Sequence, residues 1–145
     1  MITVDVDTLS GEPLPLSPQV VIPLARATLT EHGAETGHLQ IVFTSDEHMR
    51  ALKQQFFELD EYTDVIAFTL NEVDEALDGE IYISPERARA NSKRFHEPYQ
   101  RELMRLVVHG CLHLVGYDDD TPANQAGMRT LENHHLAPFS ETLGS

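Results

Sequence analysis

The chain has 145 residues, a hydrophobic fraction of 41% and a formal net charge of −14. That length suits a single domain with one hydrophobic core, so we expect one domain over residues 1–145. No apolar run reaches the roughly 20 residues of a membrane-spanning helix, and acidic residues interrupt the N-terminal stretch where a signal peptide would be apolar. Cys111 is the only cysteine, which excludes an intrachain disulfide. The composition therefore predicts a cytoplasmic protein with no membrane partner.

The negative charge bears directly on nucleic-acid binding. Phosphate contacts from basic side chains supply most of the non-specific affinity for nucleic acids, so a charge of −14 opposes such binding. Either the protein does not contact nucleic acid, or it carries a local basic patch, or its acidity is an adaptation to a salty cytoplasm. We favour the last two together. The candidate patch for phosphate contacts comprises Arg87, Arg89, Lys93 and Arg94. The alternative is a solvated helix face that pairs with neighbouring acids.

Hydrophobic periodicity and turn residues predict the elements in chain order. Alternating apolar residues predict a strand over 2–6, and helical spacing before Gly33 predicts a helix over 18–31. A short strand over 39–44 precedes a helix over 46–57. β-branched and aromatic residues predict a buried strand over 63–70, whose hairpin partner at 79–83 follows an acidic loop. Ser84 is expected to cap a helix over 85–95, and two further helices cover 98–115 and 122–134.

The order of these elements indicates the fold class. Strands are concentrated in the first part of the chain, and two helices close it, which is typical of an α+β fold. We therefore predict a single α+β domain in which about five helices pack with a small mixed four-stranded sheet.

The stretch over 103–121, LMRLVVHGCLHLVGYDDDT, contains the residues most suited to chemistry. Its first part is apolar nearly all round, which predicts a buried helix. His109 and His113 lie four residues apart, so they project from one helix face and can both reach one metal ion. Two further histidines, His134 and His135, fall near the end of the last helix, where we interpret them as structural.

The turn after this helix offers a third metal ligand. Gly116 ends the predicted helix, and the chain can then return toward the two histidines. A carboxylate from Asp118, Asp119 or Asp120 would complete three protein ligands and leave a position for water, as in catalytic metal sites. Zinc suits imidazole and carboxylate ligands, with nickel, manganese or iron as alternatives. The competing interpretation is a pair of core histidines bonded to backbone carbonyls, beside a solvated acidic turn.

The same stretch resembles the signature of the YbeY family, metal-dependent single-strand endoribonucleases of ribosomal RNA maturation. The family pattern is H-G-x-L-H-L-x-G-Y-D-H, and HGCLHLVGYDDD matches it from His109 to Asp118. Two other segments match in the family's order. TDVIAF from Thr63 resembles T-D-V-L-S-F, and GEIYIS from Gly79 resembles G-D-I-x-I-S. The chain is therefore identified as a member of this family, whose fold is a small mixed sheet flanked by helices.

The resemblance implies which residues bind the metal. In the family, histidines at positions one, five and eleven of the pattern hold one divalent ion, usually taken as zinc. This implies His109 and His113 as ligands, with Asp119 at the eleventh position. An aspartate there is a departure from the pattern, but it keeps a metal-competent group because two histidines and a carboxylate are a common zinc-binding set.

A second departure concerns an arginine that the family usually has shortly before T-D-V. A gap-free alignment places Phe57 at that position. Arg50 or Lys53 would substitute for the arginine if the geometry allows. The family resemblance therefore supports the metal site more fully than it supports the nuclease activity. The sequence identifies no general base.

Three functions are compatible with these residues. The first, implied by the family, is a metal-dependent endoribonuclease that acts on single-stranded precursor in maturation of the 16S rRNA 3′ end. Its partner would be the rRNA precursor or the small ribosomal subunit. The second is a ribosome-assembly factor whose metal is mainly structural. The third is a metal-dependent hydrolase of a small substrate, with the acidic surface selecting against RNA.

Overall fold

Strands and helices alternate up to residue 57, and the chain is helical beyond residue 84. The structure, a computed structural model, describes residues 1–9 and 11–139. The strands are β1 (Ile2–Thr8), β2 (Gly37–Phe43), β3 (Val65–Thr69) and β4 (Leu77–Ile83). The helices are α1 (Pro18–Glu31), α2 (Asp46–Phe57), α3 (Pro85–Arg94), α4 (Tyr99–Leu114) and α5 (Pro122–Leu136), followed by a short 3₁₀ helix, Ala137–Phe139. In these described ranges, no helix is both long enough and apolar enough to cross a lipid bilayer.

The four strands form one mixed sheet in the order β1–β2–β4–β3. β1, β2 and β4 run parallel, whereas β3 is antiparallel to β4 and forms one edge. The predicted hairpin between β3 and β4 is confirmed. The predicted α+β class, with four strands and five helices, is confirmed as well.

β4 begins earlier than the sequence predicts, at Leu77 rather than at Gly79. The reason is its pairing with β2, which the local hydrophobic pattern does not reveal. Leu77 aligns with Gly37 in the parallel ladder, and its N–H donates to the carbonyl of Thr36 at 3.1 Å. Gly37 permits this approach because a Cβ there would collide with the carbonyl oxygen of Leu77. The acidic loop is shortened accordingly.

Side-chain caps begin four of the helices, and they include Ser17 at α1 and the predicted cap Ser84 at α3. The hydroxyls of Ser17, Ser45, Ser84 and Thr121 accept hydrogen bonds from backbone N–H groups in the first turns of α1, α2, α3 and α5. These bonds satisfy donors that have no partner within the helix. α4 ends just before Gly116, which adopts a φ of +102°. Glycine takes that conformation without a steric penalty, and the chain turns back there.

α4 lies at the centre of the fold, where it packs against β3, β4, α1, α3 and α5. Its fully buried apolar side chains are Leu103, Met104, Leu106, Val107, Val108, Cys111 and Leu112. Gly110 allows α4 to lie close to β4, because a Cβ there would be 2.8 Å from Cγ2 of Ile81. This packing sets the height and rotation of α4 on the sheet. It thereby positions the side chains on the remaining face of the helix.

Candidate metal centre

One row of polar side chains interrupts the apolar surface of α4. Its members, three or four residues apart, are Glu102, Arg105, His109 and His113. That spacing places them on one side of the helix. The row faces α5 and the segment before β3, because it forms hydrogen bonds and ion pairs with Glu132 and Asp64. The sequence-based interpretation of α4 as apolar nearly all round therefore overlooks this polar side.

The C-terminal end of the row forms a cluster with the acidic turn. The Nε2 atoms of His109 and His113 lie 3.1 Å apart. The carboxylate oxygens of Asp119 lie 3.3 Å from Nε2 of His109 and 3.6 Å from Nε2 of His113. In a tetrahedral zinc site with bonds of about 2.0–2.1 Å, neighbouring ligand atoms are roughly 3.3 Å apart. The three donor atoms thus converge as a bound metal requires, and the donor set fits a divalent transition metal.

The structure brings Asp119, rather than its neighbours in the turn, to the two histidines. Asp118 is exposed. Asp120 is engaged elsewhere, because its Oδ1 accepts a hydrogen bond from the side-chain amide of Asn124 at 2.8 Å. The side-chain amide of Gln125 donates to the carbonyl oxygen of Asp119 at 3.1 Å, which holds the turn against the start of α5. The sequence pattern and the geometry therefore agree on Asp119 as the candidate third ligand.

Glu132, on α5, holds the imidazole of His109 from the opposite side. Its Oε2 lies 2.7 Å from Nδ1 of His109, and its side chain is only 2% exposed. With the proton on Nδ1 donated to this carboxylate, the lone pair on Nε2 is directed at the cluster. A carboxylate behind a histidine in this way orients metal-binding imidazoles in many proteins.

Arg105 balances the charge of Glu132 and of a second buried carboxylate, Glu102. Its guanidinium donates to Glu132 at 3.2 Å and to both carboxylate oxygens of Glu102, at 2.8 and 2.6 Å. Asn91, on α3, donates to Glu102 at 3.2 Å and to Asp64 at 3.0 Å. Pairing of this kind is what makes buried charges tolerable. The network also ties α3, α4 and α5 together behind the cluster.

The surroundings of the cluster shift two pKa values in the direction that metal binding needs. Burial lowers the pKa of His113 below its ordinary value, and the neighbouring imidazole of His109 adds to the effect. His113 therefore stays neutral at a lower pH than an ordinary histidine does, and the neutral imidazole is the form that binds metal. For Glu132, burial acts to raise the pKa, but the hydrogen bond from His109 and the positive charge of Arg105 outweigh it and lower the pKa.

The three candidate ligands line a cleft of about 360 Å³ at the β3 edge of the sheet. Its other lining residues are Lys53, Phe57, Thr63, Asp64, Val65, Ile66 and Ala67. The segment with the T-D-V resemblance thus forms one wall of the cleft, and the last turns of α2 form another. Sequence motifs that are far apart in the chain therefore meet at one site.

Phe57 lies in this cleft and is 45% exposed. Lys53 is one turn earlier on α2, with its Nζ 5.2 Å from the centre of the Phe57 ring and 3.7 Å from the carboxylate of Glu61. Arg50 instead forms a two-point ion pair with Asp60, at 2.6 and 3.1 Å, and does not line the cleft. Of the two basic residues that the sequence offers in place of the family's arginine, Lys53 is the one at the site.

The predicted basic patch lies on α3, outside the lining of the cleft. Its four members are Arg87, Arg89, Lys93 and Arg94. Arg87 donates to Asp46 at 2.8 Å, and its side chain is 34% exposed. Arg89 and Lys93 line a shallow groove with Tyr99 on another side of the helix. The structure therefore divides these residues between two sides of α3 and does not bring them together as one surface.

Sequence reasoning missed Glu102, Arg105 and Glu132. A signal existed for the first two, because they precede His109 at helical spacing and form an oppositely charged pair three residues apart. Glu132 has no local signal. It is one acid among many in this chain and reaches His109 from a separate helix, 23 residues further on.

Comparisons with known proteins place the chain in a family. The family profile described as "Endoribonuclease YbeY" matches residues 19–140. Proteins with that name from Phocaeicola vulgatus and Flavobacterium psychrophilum are 37% and 39% identical over 109 and 111 residues, which is 75% and 77% of this chain and 78% of each relative. The solution structure of a Thermotoga maritima protein is similar with a TM-score of 0.64 and 25% identity, and the match covers 98% of this chain and 93% of that one.

The α+β fold, with two imidazoles and a carboxylate converging in a cleft, is that of a small hydrolytic enzyme with groups able to hold a metal ion. More specifically, the chain belongs to the endoribonuclease YbeY family. Membership confirms the resemblance carried by the three sequence motifs. It also confirms the predicted enzyme class, an endoribonuclease, which is a hydrolase acting on phosphodiester bonds.

Proposed function

We propose that the protein is a metal-dependent endoribonuclease that cleaves single-stranded precursor RNA in the cytoplasm during maturation of the 16S rRNA 3′ end. Its partner is then the precursor rRNA or the small ribosomal subunit that carries it. The observation that supports this most directly is the convergence of His109, His113 and Asp119 in the cleft that the T-D-V segment lines. Family membership supports the reaction class, and the cleft supplies the residues for it.

The metal in this proposal is one zinc ion held by His109, His113 and Asp119. The separations between the donor atoms, 3.1, 3.3 and 3.6 Å, are compatible with a tetrahedral site. When bound, such an ion would act as a Lewis acid toward a phosphate oxygen and would lower the pKa of a water molecule. Metal analysis of the purified protein distinguishes zinc from nickel, manganese and iron.

Residues behind the site position the ligands in this mechanism. Glu132 accepts the Nδ1 proton of His109 and thereby keeps Nε2 available as a donor. Arg105 holds Glu132 in place and ionised. Glu132 and Arg105 are therefore positioning residues, since neither lines the cleft.

Phe57 and Lys53 are the proposed contacts to the substrate nearest the metal. The exposed Phe57 ring can stack on a nucleobase, and the Lys53 ammonium 5.2 Å away can contact an adjacent phosphate. Stacking of this kind needs an unpaired base, which supports a preference for single strands. It also adds affinity without many phosphate contacts, which suits a chain with a net charge of −14.

We predict that Phe57→Ala weakens binding of single-stranded RNA by about 1–3 kcal/mol, the range for one base stacked on an aromatic ring. Fluorescence anisotropy with a labelled oligonucleotide measures this loss. Phe95→Ala is the matched control, because Phe95 is similarly exposed at 48% but lies outside the cleft lining. Equal affinities for Phe57→Ala and Phe95→Ala would remove the stacking contact from the proposal.

Exposed basic residues of α3, outside the cleft, are proposed as separate contacts to the rest of the RNA. Arg89, Lys93 and Arg94 are exposed and are proposed phosphate contacts. Arg87 contributes less in this scheme, because Asp46 already pairs with it. Such contacts position the RNA without reading its sequence, so their removal should weaken binding and lessen its salt dependence.

The activity is tested with untagged protein and a 3′-extended 16S rRNA precursor, beside short single-stranded and duplex RNAs. We expect cleavage of the single strands, its loss with a chelator, its return with added zinc, and its absence in His113→Ala. His38→Ala is the control, because His38 is an exposed histidine paired with Asp5, 2.6 Å away, outside the cleft. Cleavage that survives His113→Ala or chelation would contradict the proposed metal site, and no cleavage by the zinc-loaded wild type would contradict the proposed activity.

One observation favours a second candidate, a ribosome-assembly factor with a mainly structural metal. Phe57 stands where the family usually has an arginine, so a contact that aids catalysis is replaced. In that case His113→Ala lowers metal content and thermal stability, while binding to the small subunit persists and no RNA is cut by the wild type.

A further inference from the structure

A second group of histidines lies where α1 and α5 end, outside the lining of the cleft. We call it the surface cluster, and we call His109, His113 and Asp119 the cleft cluster. The members of the surface cluster are Glu31, His32, His134 and His135. They come from the two ends of the chain, 103 residues apart along the sequence.

The donor atoms of the surface cluster converge on one carboxylate oxygen. Oε2 of Glu31 lies 3.1 Å from Nε2 of His134, 3.2 Å from Nε2 of His135 and 3.8 Å from Nε2 of His32. The Nε2 atoms of His32 and His135 are 2.9 Å apart. These separations bracket the roughly 3.3 Å between neighbouring ligands of a tetrahedral zinc ion. They resemble the separations in the cleft cluster.

The helix ends around the surface cluster favour a cation. α1 ends at Glu31 with His32 as its C-cap, and His134 and His135 lie in the last turn of α5. The C-terminal end of a helix carries roughly half a negative charge, and here two such ends meet beside a carboxylate. Neither last turn contains a lysine or an arginine. Protonated imidazoles or a bound ion would supply the positive charge that these helix ends favour.

The hydrogen bonds among these side chains depend on which imidazole nitrogens carry protons. Nε2 of His135 faces both Nε2 of His32 at 2.9 Å and Oε2 of Glu31 at 3.2 Å, and a single proton on that nitrogen serves one of them well. Protonating both imidazoles would place two N–H groups against each other. A metal ion among the three groups takes a lone pair from each. The Tyr117 hydroxyl lies 3.3 Å from Nδ1 of His32 and gives that imidazole a partner on its other side.

We propose that Glu31, His134 and His135, with His32 as a fourth ligand, form a second metal site separate from the cleft cluster. Imidazole nitrogens with one carboxylate suit Zn²⁺, Co²⁺ or Ni²⁺, whereas Mg²⁺ and Ca²⁺ prefer oxygen ligands. The bound ion joins the C-terminal end of α5 to that of α1. Because the side chains of Glu31 and His134 are 51% and 60% exposed, the ion exchanges readily with solvent.

An ion at this position acts on the element that supports the cleft cluster. α5 also contains Glu132, one helical turn before His135, and Glu132 holds His109 through its hydrogen bond. A metal ion bound at the end of α5 therefore limits the motion of this helix, which positions His109 through Glu132. The direct consequence is a higher melting temperature with zinc, even in a protein whose cleft cluster is disabled.

Zinc binding to untagged protein tests the proposal, measured by competition with a chromophoric chelator of micromolar affinity. We expect two equivalents of zinc in wild type and one in His113→Ala. Glu31→Gln and His134→Ala should each weaken the second equivalent at least tenfold. His113→Ala/His134→Ala should then bind no zinc in this range. His38→Ala is the matched control and should keep both equivalents, because His38 has a single carboxylate partner, Asp5.

Thermal unfolding supplies a readout that does not depend on activity. Zinc should raise the melting temperature of His113→Ala, magnesium should not, and zinc should have no effect on the double variant. The proposal is overturned if wild type binds one equivalent that His113→Ala abolishes, or if Glu31→Gln and His134→Ala bind zinc as wild type does. If wild type binds only one equivalent, and His134→Ala abolishes it while His113→Ala does not, the surface site is supported and the metal of the cleft cluster is contradicted. Unfolding in chelator checks that Glu31→Gln and His134→Ala still fold. Under that condition, the unfolding midpoint of each variant should equal that of wild type.

Discussion

The two histidine clusters use the same side chains in opposite settings. In the cleft cluster, His109 and His113 project from a central helix, and the buried pair of Glu132 and Arg105 stands behind them. In the surface cluster, the histidines lie at helix ends beside a carboxylate that is half exposed. The cleft cluster borders space for a substrate, whereas the surface cluster joins two elements. The groups that surround a histidine, more than the histidine itself, therefore distinguish the proposed catalytic site from the proposed structural one.

The largest expected effect on the free energy of unfolding comes from removing Glu132, which supports the cleft cluster through His109. Glu132→Ala leaves Arg105 buried with one partner fewer and removes the hydrogen bond to His109, so we expect a loss of about 3–5 kcal/mol in the free energy of unfolding. Urea unfolding in the presence of chelator measures it. The matched change in the surface cluster, Glu31→Gln, should leave the unfolding midpoint as in wild type. If Glu132→Ala unfolds at the wild-type midpoint, the buried network does not support the cluster.

The next effect concerns the packing that aligns α4. Gly110→Ala places a methyl group 2.8 Å from Cγ2 of Ile81, so we expect a net destabilisation of about 1–3 kcal/mol, the usual range for overpacking a core. Zinc affinity of the cleft cluster should fall with it, while that of the surface cluster is retained. Combining Gly110→Ala with Ile81→Val should recover part of the loss. Unchanged stability in the single variant would show that α4 does not depend on this close contact.

A smaller effect is a pH dependence in the metal-free protein. Burial lowers the pKa of His113 from its ordinary value of 6.5, with His109 adding to the shift, and burial lowers the pKa of His135 likewise. The unfolded chain then binds more protons than the folded one near pH 6.5. The free energy of unfolding is therefore highest well above pH 6.5 and declines as the pH falls through that value. The urea midpoint should drop between about pH 7.5 and pH 5.5, and His113→Asn should lessen the drop. A midpoint that rises on acidification would contradict the sign of both shifts.

The smallest effect is expected at the surface. Without metal, His134→Ala should change the free energy of unfolding by less than about 0.5 kcal/mol, because exposed substitutions rarely do more. Chemical unfolding in chelator measures this change. With zinc present, wild type should unfold at a higher denaturant concentration than His134→Ala. A large loss without metal would mean that the hydrogen bonds of His134 to Glu31 already stabilise the fold.

Much of the fold could be predicted because its signals are local. Alternation, helical spacing and capping residues identified the strands and helices, and the class of fold was predicted from their order. The start of β4 was placed at Gly79 rather than Leu77, since the pairing of Leu77 with Gly37 is a contact between distant segments. The polar row on α4 was visible in the spacing of Glu102 and Arg105 but was overlooked.

Residue spacing along the chain is enough to predict that His109 and His113 share one helix face, that a glycine ends that helix, and that an acidic turn follows. These features depend on the geometry of a single helix and its cap. The family motif points to Asp119, and the packing of the chain brings its carboxylate to both imidazoles. That Glu132 supports His109, and that Lys53 rather than Arg50 reaches the cleft, is visible in the tertiary structure alone. The tertiary structure also brings Glu31 to His134 and His135, two histidines that the sequence analysis interprets as structural. Each of these contacts joins separate elements and therefore depends on how the helices pack on the sheet. Local sequence patterns do not predict that packing.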